Sequence, residues 1–330
     1  MGGAAIAAPD APLVADVGGT NARFARVASD GRPVHALTLR TEDHAGPVEA
    51  VEAYLDAMPH EGRPRRAAFA VASPITGDRV AFTNCHWDFS LAEVKRRLRL
   101  DRLEAINDFT AVALSLPRLQ PQDMRCVGGG EAAPGTPLAV LGPGTGLGMS
   151  GLVPALGRWV ALSAEGGHAT MSPADDRESE ILRLLRLRYH HVSVERVVSG
   201  QGLVNIYEAL AQIEGVRADV LDPEDITRRG AAGDRLCAEA VRTMCRMLGT
   251  AASNLALTLG ARGGVYIAGG IVPRLGAGFA DSGFRQRFED KGRFRAYLAP
   301  IPTWVVTEPV PAFLGLAALL EDDQPGVAAS

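Results

Sequence analysis

A pair of glycines near the start of the chain has the surroundings of a phosphate-binding turn. The apolar run Leu13 to Ala15 predicts a strand, Gly18–Gly19 predicts a tight turn, and Phe24 to Val27 predicts a second strand. Adjacent glycines can take positive φ and leave no side chain over the turn, so main-chain N–H groups can face an anion. Asp16 precedes the turn, and a carboxylate in this place can hold Mg²⁺ directly or through water.

Two well-known phosphate loops do not match this stretch. No Gly-Lys-Ser/Thr follows the glycines, which excludes a Walker loop. The G-x-G-x-x-G spacing and a following helix are also missing, which excludes the Rossmann fingerprint. An ordinary hairpin is the alternative, because Gly-Gly turns are common in hairpins. The stretch alone leaves both interpretations open.

The same pattern recurs in the second half of the chain. An apolar run from Leu138 predicts a strand, Gly144–Gly146 with Thr145 predicts a glycine turn, and Met149 to Val153 predicts another strand. A third pair, Gly269–Gly270, ends a predicted buried strand that starts at Gly264. Two strand–glycine–strand units predict two similar domains, each presenting a phosphate-facing turn to a shared cleft.

Asn107 and Asp108 stand between a predicted strand, Leu103 to Ile106, and a predicted helix, Phe109 to Leu116. Open α/β sheets bind ligands at the carboxyl ends of their strands, so this pair is a candidate for chemistry. The alternative is that one of the two residues only caps the helix. The two roles do not exclude each other.

Glu165 and His168 flank another glycine pair, which lets their side chains converge while the backbone approaches closely. A metal site is the first alternative, but no third ligand stands nearby and the spacing is not H-E-x-x-H. A single histidine is usually a structural residue. The position of His168 directly after two glycines favours a binding loop.

Length and composition limit the class of protein. A chain of 330 residues with 47% apolar residues predicts two domains with well-filled cores. A net charge of −4 argues against a general nucleic-acid binder, and the basic run Lys95 to Arg99 is interpreted as a solvated helix face. The four cysteines form no C-x-x-C pair and indicate reduced thiols of a cytosolic protein.

The ends of the chain and its apolar runs indicate a soluble, cytoplasmic protein. Met1 to Pro12 is a poor signal peptide, because no basic residue precedes its apolar part, and we expect a disordered extension there. No uncharged apolar run reaches the length that spans a membrane.

The first elements of the chain, up to Ala72, follow a β-β-β-α-β order, which is typical of a mixed sheet with helices packed on it. A loop rich in Pro and Gly, Leu119 to Pro137, contains the predicted domain boundary. The predicted helices include Glu178 to His191, Gly202 to Glu214, a long helix Asp234 to Leu259, and Pro311 to Leu320, which returns to the first domain.

Glycine turns after strands, in two related halves, resemble the actin-like ATPase superfamily of sugar kinases, Hsp70 chaperones and actin. Individual stretches resemble bacterial glucokinase of the group outside the ROK family, whose cysteine-rich zinc motif is missing here. Pro143 departs from the expected pattern and stiffens its turn. The matching stretches are Asp16–Arg23, Ile106–Val112, Gly144–Gly148, Glu165–His168, Glu195–Gly200, Ile267–Arg274, Ser282–Arg285 and Phe288–Phe294.

The resemblance implies a two-domain α/β fold of the actin-like ATPase (ribonuclease H-like) type, with mixed sheets, flanking helices and a cleft between the domains. The implied boundaries are 13–118 plus about 309–330 for the small domain and 119–308 for the large one. It also implies transfer of the γ-phosphoryl group of Mg-ATP to the 6-hydroxyl of glucose, and a homodimer.

The resemblance also implies roles for single residues. Asp108 is the implied general base, and Asp16 the implied Mg²⁺ ligand. The implied glucose ligands are Asn107, Asp108, Glu165, His168 and Glu195. The implied ATP-binding residues are Ala15, Asp16, Val17, Gly18, Gly19, Thr20, Gly144, Thr145, Gly146, Gly269 and Gly270.

Three other functions stay open at this point. One is a kinase for another hexose or an aminosugar in the same cleft. Another is a sugar- and nucleotide-responsive regulator without catalysis, although the candidate base is present. An actin-like or chaperone ATPase would use similar phosphate turns but would not need the polar set around Asn107, Glu165 and Glu195.

Overall fold

A computed structural model describes residues 10–58, 62–73, 75, 77–82 and 85–321, and the chain divides into two units. Unit 1 comprises residues 1–119 and 308–330, and unit 2 comprises residues 120–307. Residues 1–9 of the expected disordered extension lie outside the described ranges. Ala11 is buried and the Pro12 carbonyl accepts the N–H of Val27 at 3.0 Å, so the fold already includes these two residues.

Unit 1 is built on a five-stranded mixed sheet of order β3-β2-β1-β4-β7, with a separate β5-β6 pair. One face of the sheet carries side chains from β1, β2 and β4, packed with residues of α1 and α2, and α11 (Pro311–Glu321) contacts β1 and β4. The elements up to residue 119 are β1 (Leu13–Val17), β2 (Asn21–Val27), β3 (Pro33–Arg40), α1 (Pro47–Asp56), β4 (Arg66–Val71), β5 (Arg79–Ala81), β6 (Asp88–Ser90), α2 (Leu91–Arg97), β7 (Arg102–Asn107) and α3 (Asp108–Ser115).

Unit 2 is built on a six-stranded mixed sheet of order β11-β10-β9-β12-β13-β8. Its elements are β8 (Met124–Gly128), β9 (Leu138–Pro143), β10 (Leu147–Ala155), β11 (Arg158–Leu162), α4 (Asp176–Arg186), α5 (Gly200–Ile213), α6 (Pro223–Ala231), α7 (Arg235–Leu259), β12 (Val265–Ile267), α8 (Ile271–Arg274), α9 (Phe284–Glu289), α10 (Arg295–Leu298) and β13 (Thr303–Val306). The chain then returns to unit 1 with α11 (Pro311–Glu321), which packs on α3.

The two sheets share one pairing pattern, as the two related halves of the sequence predict. In each, an antiparallel three-stranded meander (β1–β3 or β9–β11) is followed by two parallel strands, β4 and β7 or β12 and β13. Strand β8 adds an antiparallel edge to the second sheet. The expected mixed α/β architecture is therefore confirmed.

Local signals explain several helix ends. Asp234 Oδ1 accepts the N–H of Cys237 at the start of α7, and Gly260 ends this helix in the left-handed region at φ 65°. Ser90 Oγ likewise accepts the N–H of Glu93 at 3.1 Å and caps α2. The Glu93 carboxylate pairs with Arg96 on the same helix.

Two predictions of secondary structure are wrong. The stretch predicted as an irregular loop contains β8, which pairs with β13 far along the chain. The helix predicted to reach His191 is α4, which ends at Arg186. Within the described ranges, no helix combines the length and the apolar character needed to cross a lipid bilayer. All four cysteines are free thiols.

Candidate active site

In unit 1, three parallel strands end side by side at one edge of the sheet. Val17 of β1, Val71 of β4 and Asn107 of β7 stand in register at the carboxyl ends of these strands. Neighbouring strands lie about 4.8 Å apart, so the main chains at Val17 and Asn107 are about 10 Å apart. This edge is the candidate site of unit 1, because open α/β sheets bind ligands beyond the carboxyl ends of their strands.

Asn107 and Asp108 stand where β7 passes into α3. Asn107 Oδ1 accepts the N–H groups of Phe109 at 2.9 Å and Thr110 at 3.3 Å, so Asn107 is the helix cap. Asp108 is the first residue of α3, and its Oδ1 also accepts the Phe109 N–H, at 2.8 Å. The capping role is therefore confirmed for Asn107, while Asp108 presents a carboxylate beside it at the sheet edge.

Asp16 pairs across the sheet with Arg23, which the sequence analysis did not identify. The two residues are directly opposite on β1 and β2, and Arg23 Nη1 donates to Asp16 Oδ2 at 2.8 Å. Burial raises the pKa of the Asp16 carboxyl above its ordinary value, against the lowering effect of the Arg23 charge and hydrogen bond. Ala15 and Val17 point to the opposite face and are fully buried in the core of unit 1.

Thr41 anchors the glycine turn after β1. Its hydroxyl donates to the Gly19 carbonyl at 2.7 Å, and its N–H donates to the Thr20 carbonyl at 3.0 Å. Gly18 closes the turn by donating its N–H to the Asn21 carbonyl at 2.9 Å. Neither Gly18 nor Gly19 takes a positive φ. The glycines therefore keep side chains away from the turn, and the positive φ that they could have adopted is not used.

Unit 2 repeats this arrangement with its own glycine turns. Strands β9 and β12 are parallel neighbours, so Gly144–Gly146 and Gly269–Gly270 follow at the same edge of the sheet. The turn that contains Thr145 is closed by the Gly144 N–H, which donates to the Gly146 carbonyl at 2.8 Å. Gly269 has φ +78°, and an added Cβ would lie 2.5 Å from the Pro143 carbonyl oxygen. Only glycine fits there.

The loop with Glu165 and His168 packs on the beginning of β10. His168 donates its N–H to the Glu165 carbonyl at 3.0 Å, and His168 Nε2 lies 3.8 Å from Glu165 Oε2. Both side chains remain more than half exposed, at 64% for His168 and 58% for Glu165. A Cβ on Gly167 would overlap the Leu147 carbonyl oxygen. Gly167 thus allows the loop to approach the Leu147 main chain closely. The side chains of Glu165 and His168 converge, as predicted.

Glu195 connects this loop to the glycine turn of unit 2. Its N–H donates to the Gly167 carbonyl at 2.9 Å, and its Oε2 accepts the Leu147 N–H at 2.8 Å. A Cβ on Gly146 would lie 2.5 Å from the same oxygen, so glycine at that position makes room for the carboxylate. The Gly146–Leu147 stretch, the Gly167 loop and Glu195 are distant in sequence and meet at this one residue.

The candidate residues form two groups, one in each unit. The group in unit 1 contains Ala15–Thr20, Asn107 and Asp108. The group in unit 2 contains Gly144–Gly146, Glu165, His168, Glu195 and Gly269–Gly270. Sequence reasoning missed two residues that hold the group in unit 1, Arg23 and Thr41. Arg23 could have been found, because it faces Asp16 across the predicted hairpin.

Known structures share this architecture. The crystal structure of a glucokinase from an Antarctic psychrotroph matches with a TM-score of 0.87 at 37% identity, over 94% of this chain and 99% of that one. A ROK family glucokinase from Streptomyces griseus, in complex with glucose and AMPPNP, matches with a TM-score of 0.65 at 17% identity, over 94% of this chain and 98% of that one. The fold and its glycine turns define a sugar kinase of the actin-like ATPase class.

Sequence comparison gives the family within this class. Residues 13–323 match the family model described as Glucokinase. The glucokinase of Paramagnetospirillum magneticum is 54% identical over 312 residues, which cover 94% of this chain and 97% of that protein. The chain belongs to the glucokinase family, and it is an enzyme that phosphorylates glucose with ATP. The predicted fold class and activity are confirmed.

Proposed function

We propose that this chain transfers the γ-phosphoryl group of ATP to the 6-hydroxyl of D-glucose, with Asp108 as the general base. The observation that carries this proposal is the register of Val17 with Asn107. It sets the candidate base and the glycine turn after β1 at the same edge of one sheet, about 10 Å apart. A sugar hydroxyl and a phosphoryl group fit within that distance.

The proposed step moves one proton and one phosphoryl group. Asp108 accepts the proton of the 6-hydroxyl while the sugar oxygen forms a bond to the γ-phosphorus. The bond from this phosphorus to the bridging oxygen breaks, and ADP leaves with that oxygen. Phosphoryl transfer depends mainly on alignment and charge stabilisation. The hydrogen bond from the Phe109 N–H to Asp108 supports this role, because it fixes the carboxylate before the sugar arrives.

Recognition of the sugar is assigned to the polar side chains that the family resemblance implies as glucose ligands. Asn107 lies beside the base in unit 1, whereas Glu165, His168 and Glu195 lie close together in unit 2. Glucose has several hydroxyls, and a site built to pair them rejects analogues by leaving buried polar groups without partners. The wide exposure of Glu165 and His168 supports this role, because their polar atoms are accessible to a ligand.

The nucleotide is assigned to the glycine turns. The proposed contacts are Ala15–Thr20, Gly144–Gly146 and Gly269–Gly270. Ala15 and Val17 are buried, so these two residues would contribute through their main chain alone. Turns without side chains allow phosphate oxygens to approach main-chain N–H groups.

Asp16 is the residue proposed to hold Mg²⁺, which would neutralise charge on the phosphates of ATP. Mg²⁺ is usually bound by one or two carboxylates together with substrate phosphates. In the part of the chain that the structure describes, no group of three or more His, Cys, Asp or Glu could form a metal cage. Asp16 offers a carboxylate donor, which fits this cation, and Arg23 holds its side chain in place through the hydrogen bond to Oδ2.

The proposal includes a cytoplasmic homodimer with no nucleic-acid or membrane partner. The dimer and the compartment rest on the family resemblance and the cysteine pattern. Ion pairs on the basic run support the lack of a nucleic-acid partner, because Arg96 pairs with Glu93 and Arg97 with Glu49. Light scattering after gel filtration measures the oligomeric state, and a monomer at micromolar concentration contradicts the dimer.

A coupled assay of ADP formation tests the reaction across a panel of hexoses and aminosugars. We expect glucose to give the highest kcat/KM, EDTA to abolish turnover, and Mg²⁺ to restore it without zinc. A higher kcat/KM for another sugar indicates that the enzyme is a kinase for that hexose or aminosugar. ADP formation that is independent of every sugar contradicts the proposal.

A further inference from the structure

Glu195 lies in a turn outside the regular helices and strands, so its orientation depends on the groups around it. The turn begins after Ser193, whose carbonyl accepts the Arg196 N–H at 3.1 Å, and it leads into α5. Val197 and Val198 in this turn are fully buried. Glu195 itself is half-buried, and the carbonyl groups of such a turn need hydrogen-bond donors from outside a regular helix or strand.

Ser199 supplies one of these donors. Its hydroxyl donates to the Glu195 carbonyl at 2.8 Å and accepts the Gly202 N–H at 3.0 Å. Ser199 is 1% exposed, so water does not compete for this hydroxyl. One side chain therefore caps α5 and also fixes the peptide group of Glu195.

Asn205 of α5 supplies the second donor and is fully buried. Its Nδ2 donates to the Arg196 carbonyl at 2.9 Å, and its Oδ1 accepts from Tyr189 Oη at 3.2 Å and from Gln201 Nε2 at 3.3 Å. The Arg196 guanidinium covers the Tyr189 ring at 4.2 Å from the ring centre. A buried polar network whose members are paired holds its parts rigidly.

We propose that Ser199 and Asn205 are positioning residues for Glu195. They fix two consecutive carbonyls, while the Glu195 N–H is held by Gly167 and Oε2 is held by Leu147. The hydrogen bonds given for Glu195 involve its N–H, its carbonyl and Oε2, and we assign the contact with a sugar hydroxyl to Oε1. The inference rests on the proposed role of Glu195 as a glucose ligand. Prepositioned ligands matter because a shift of about 1 Å can cost ~10²-fold in rate.

The first test compares Ser199→Ala with Ser253→Ala. Ser253 is a matched control, because it is also fully buried and its hydroxyl donates to a main-chain carbonyl, that of Thr250, at 3.0 Å. We expect Ser199→Ala to raise the KM for glucose about 3- to 10-fold, the equivalent of one hydrogen bond, with an unchanged KM for ATP. Ser199→Thr keeps the hydroxyl and should restore the glucose KM.

Tyr189→Phe tests the positioning role of Asn205 without opening a cavity. It removes the hydroxyl that orients the Asn205 amide and keeps the aromatic ring beneath Arg196. We expect a rise in glucose KM in the same direction as for Ser199→Ala, with the KM for ATP unchanged.

Glu195→Gln, measured in parallel, separates this inference from the proposed function. If Glu195→Gln raises the glucose KM while Ser199→Ala and Tyr189→Phe lower only the melting temperature, as Ser253→Ala does, the positioning role is overturned and Glu195 remains a ligand. If Glu195→Gln leaves the glucose KM unchanged, the proposed ligand role fails, and the positioning role fails with it.

Discussion

Asn107 Oδ1 accepts the main-chain N–H of Phe109 at 2.9 Å, and this bond caps the helix that begins at Asp108. Stabilising the helix start and performing the chemistry are therefore assigned to adjacent residues. The Asp108 carboxylate can be changed without removing the cap, and the cap can be changed without removing the carboxylate. The two roles can be measured separately.

Asn107→Ala should lower the free energy of unfolding by about 1 kcal/mol, the usual effect of losing an N-cap. Asn107→Asp retains an acceptor oxygen and should lower it much less. Urea denaturation of both variants measures the difference. Equal stability of the alanine variant and the parent would show that another group caps α3.

Glu165→Gln and His168→Ala should each raise the KM for glucose about tenfold or more, as expected for hydrogen bonds that involve charged or strongly polar groups. The KM for ATP should change little, because both exposed side chains are assigned to sugar hydroxyls, whereas the nucleotide is assigned to the glycine turns. Steady-state kinetics with each substrate varied in turn gives both constants. An equal rise in the KM for ATP would reassign this loop to the nucleotide.

Gly269→Ala should destabilise the protein by about 1 kcal/mol or more, because alanine is strained at positive φ. The added Cβ would also collide with the Pro143 carbonyl oxygen. The neighbouring position is a matched control for stability, because a Cβ on Gly270 meets nothing within 4 Å. Thermal unfolding of Gly269→Ala and Gly270→Ala should therefore differ, and identical melting temperatures would contradict the turn geometry.

Glu214 at the end of α5 predicts an acid-dependent loss of stability. Hydrogen bonds from Arg235 and Arg177 lower the pKa of Glu214 to about 2. A group with a depressed folded pKa stabilises the fold above its unfolded pKa of about 4.3, and this stabilisation is lost as the pH falls toward about 2. Melting temperatures of the parent should therefore fall more steeply over this range than those of Glu214→Gln. Parallel curves would contradict the ion-pair geometry.

Local sequence signals predicted much of the fold. Asp234 and Gly260 were sufficient to delimit α7, because capping and left-handed termination are properties of short stretches. The hairpin after Leu13 and its counterpart after Leu138 also follow from apolar runs and glycine pairs. The positions of Asn107, Asp108, Glu165 and His168 beside strand ends and glycine pairs marked them as candidates, whereas Glu195 was named by the family resemblance, and the roles of all five stay predictions.

Contacts between distant stretches could not be predicted in this way. Strand β8 forms by pairing with β13, and no local pattern in its sequence predicts that pairing. Thr41 and Asn205 are ordinary polar residues by sequence, and their roles depend on what the fold places beside them. The supporting residues of the site are therefore visible only in three dimensions.

The kcat of Asp108→Asn tests the central claim most directly. The substitution preserves the shape of the side chain, and Asn107 still caps α3, so the melting temperature should stay near that of the parent. Glucose affinity, measured by calorimetry, should weaken only modestly, because an amide still pairs with a hydroxyl. Loss of a general base should lower kcat by about 10²- to 10⁴-fold. A folded Asp108→Asn enzyme with kcat within about threefold of the parent, far from the loss of a base, would contradict the assignment of Asp108 as the base.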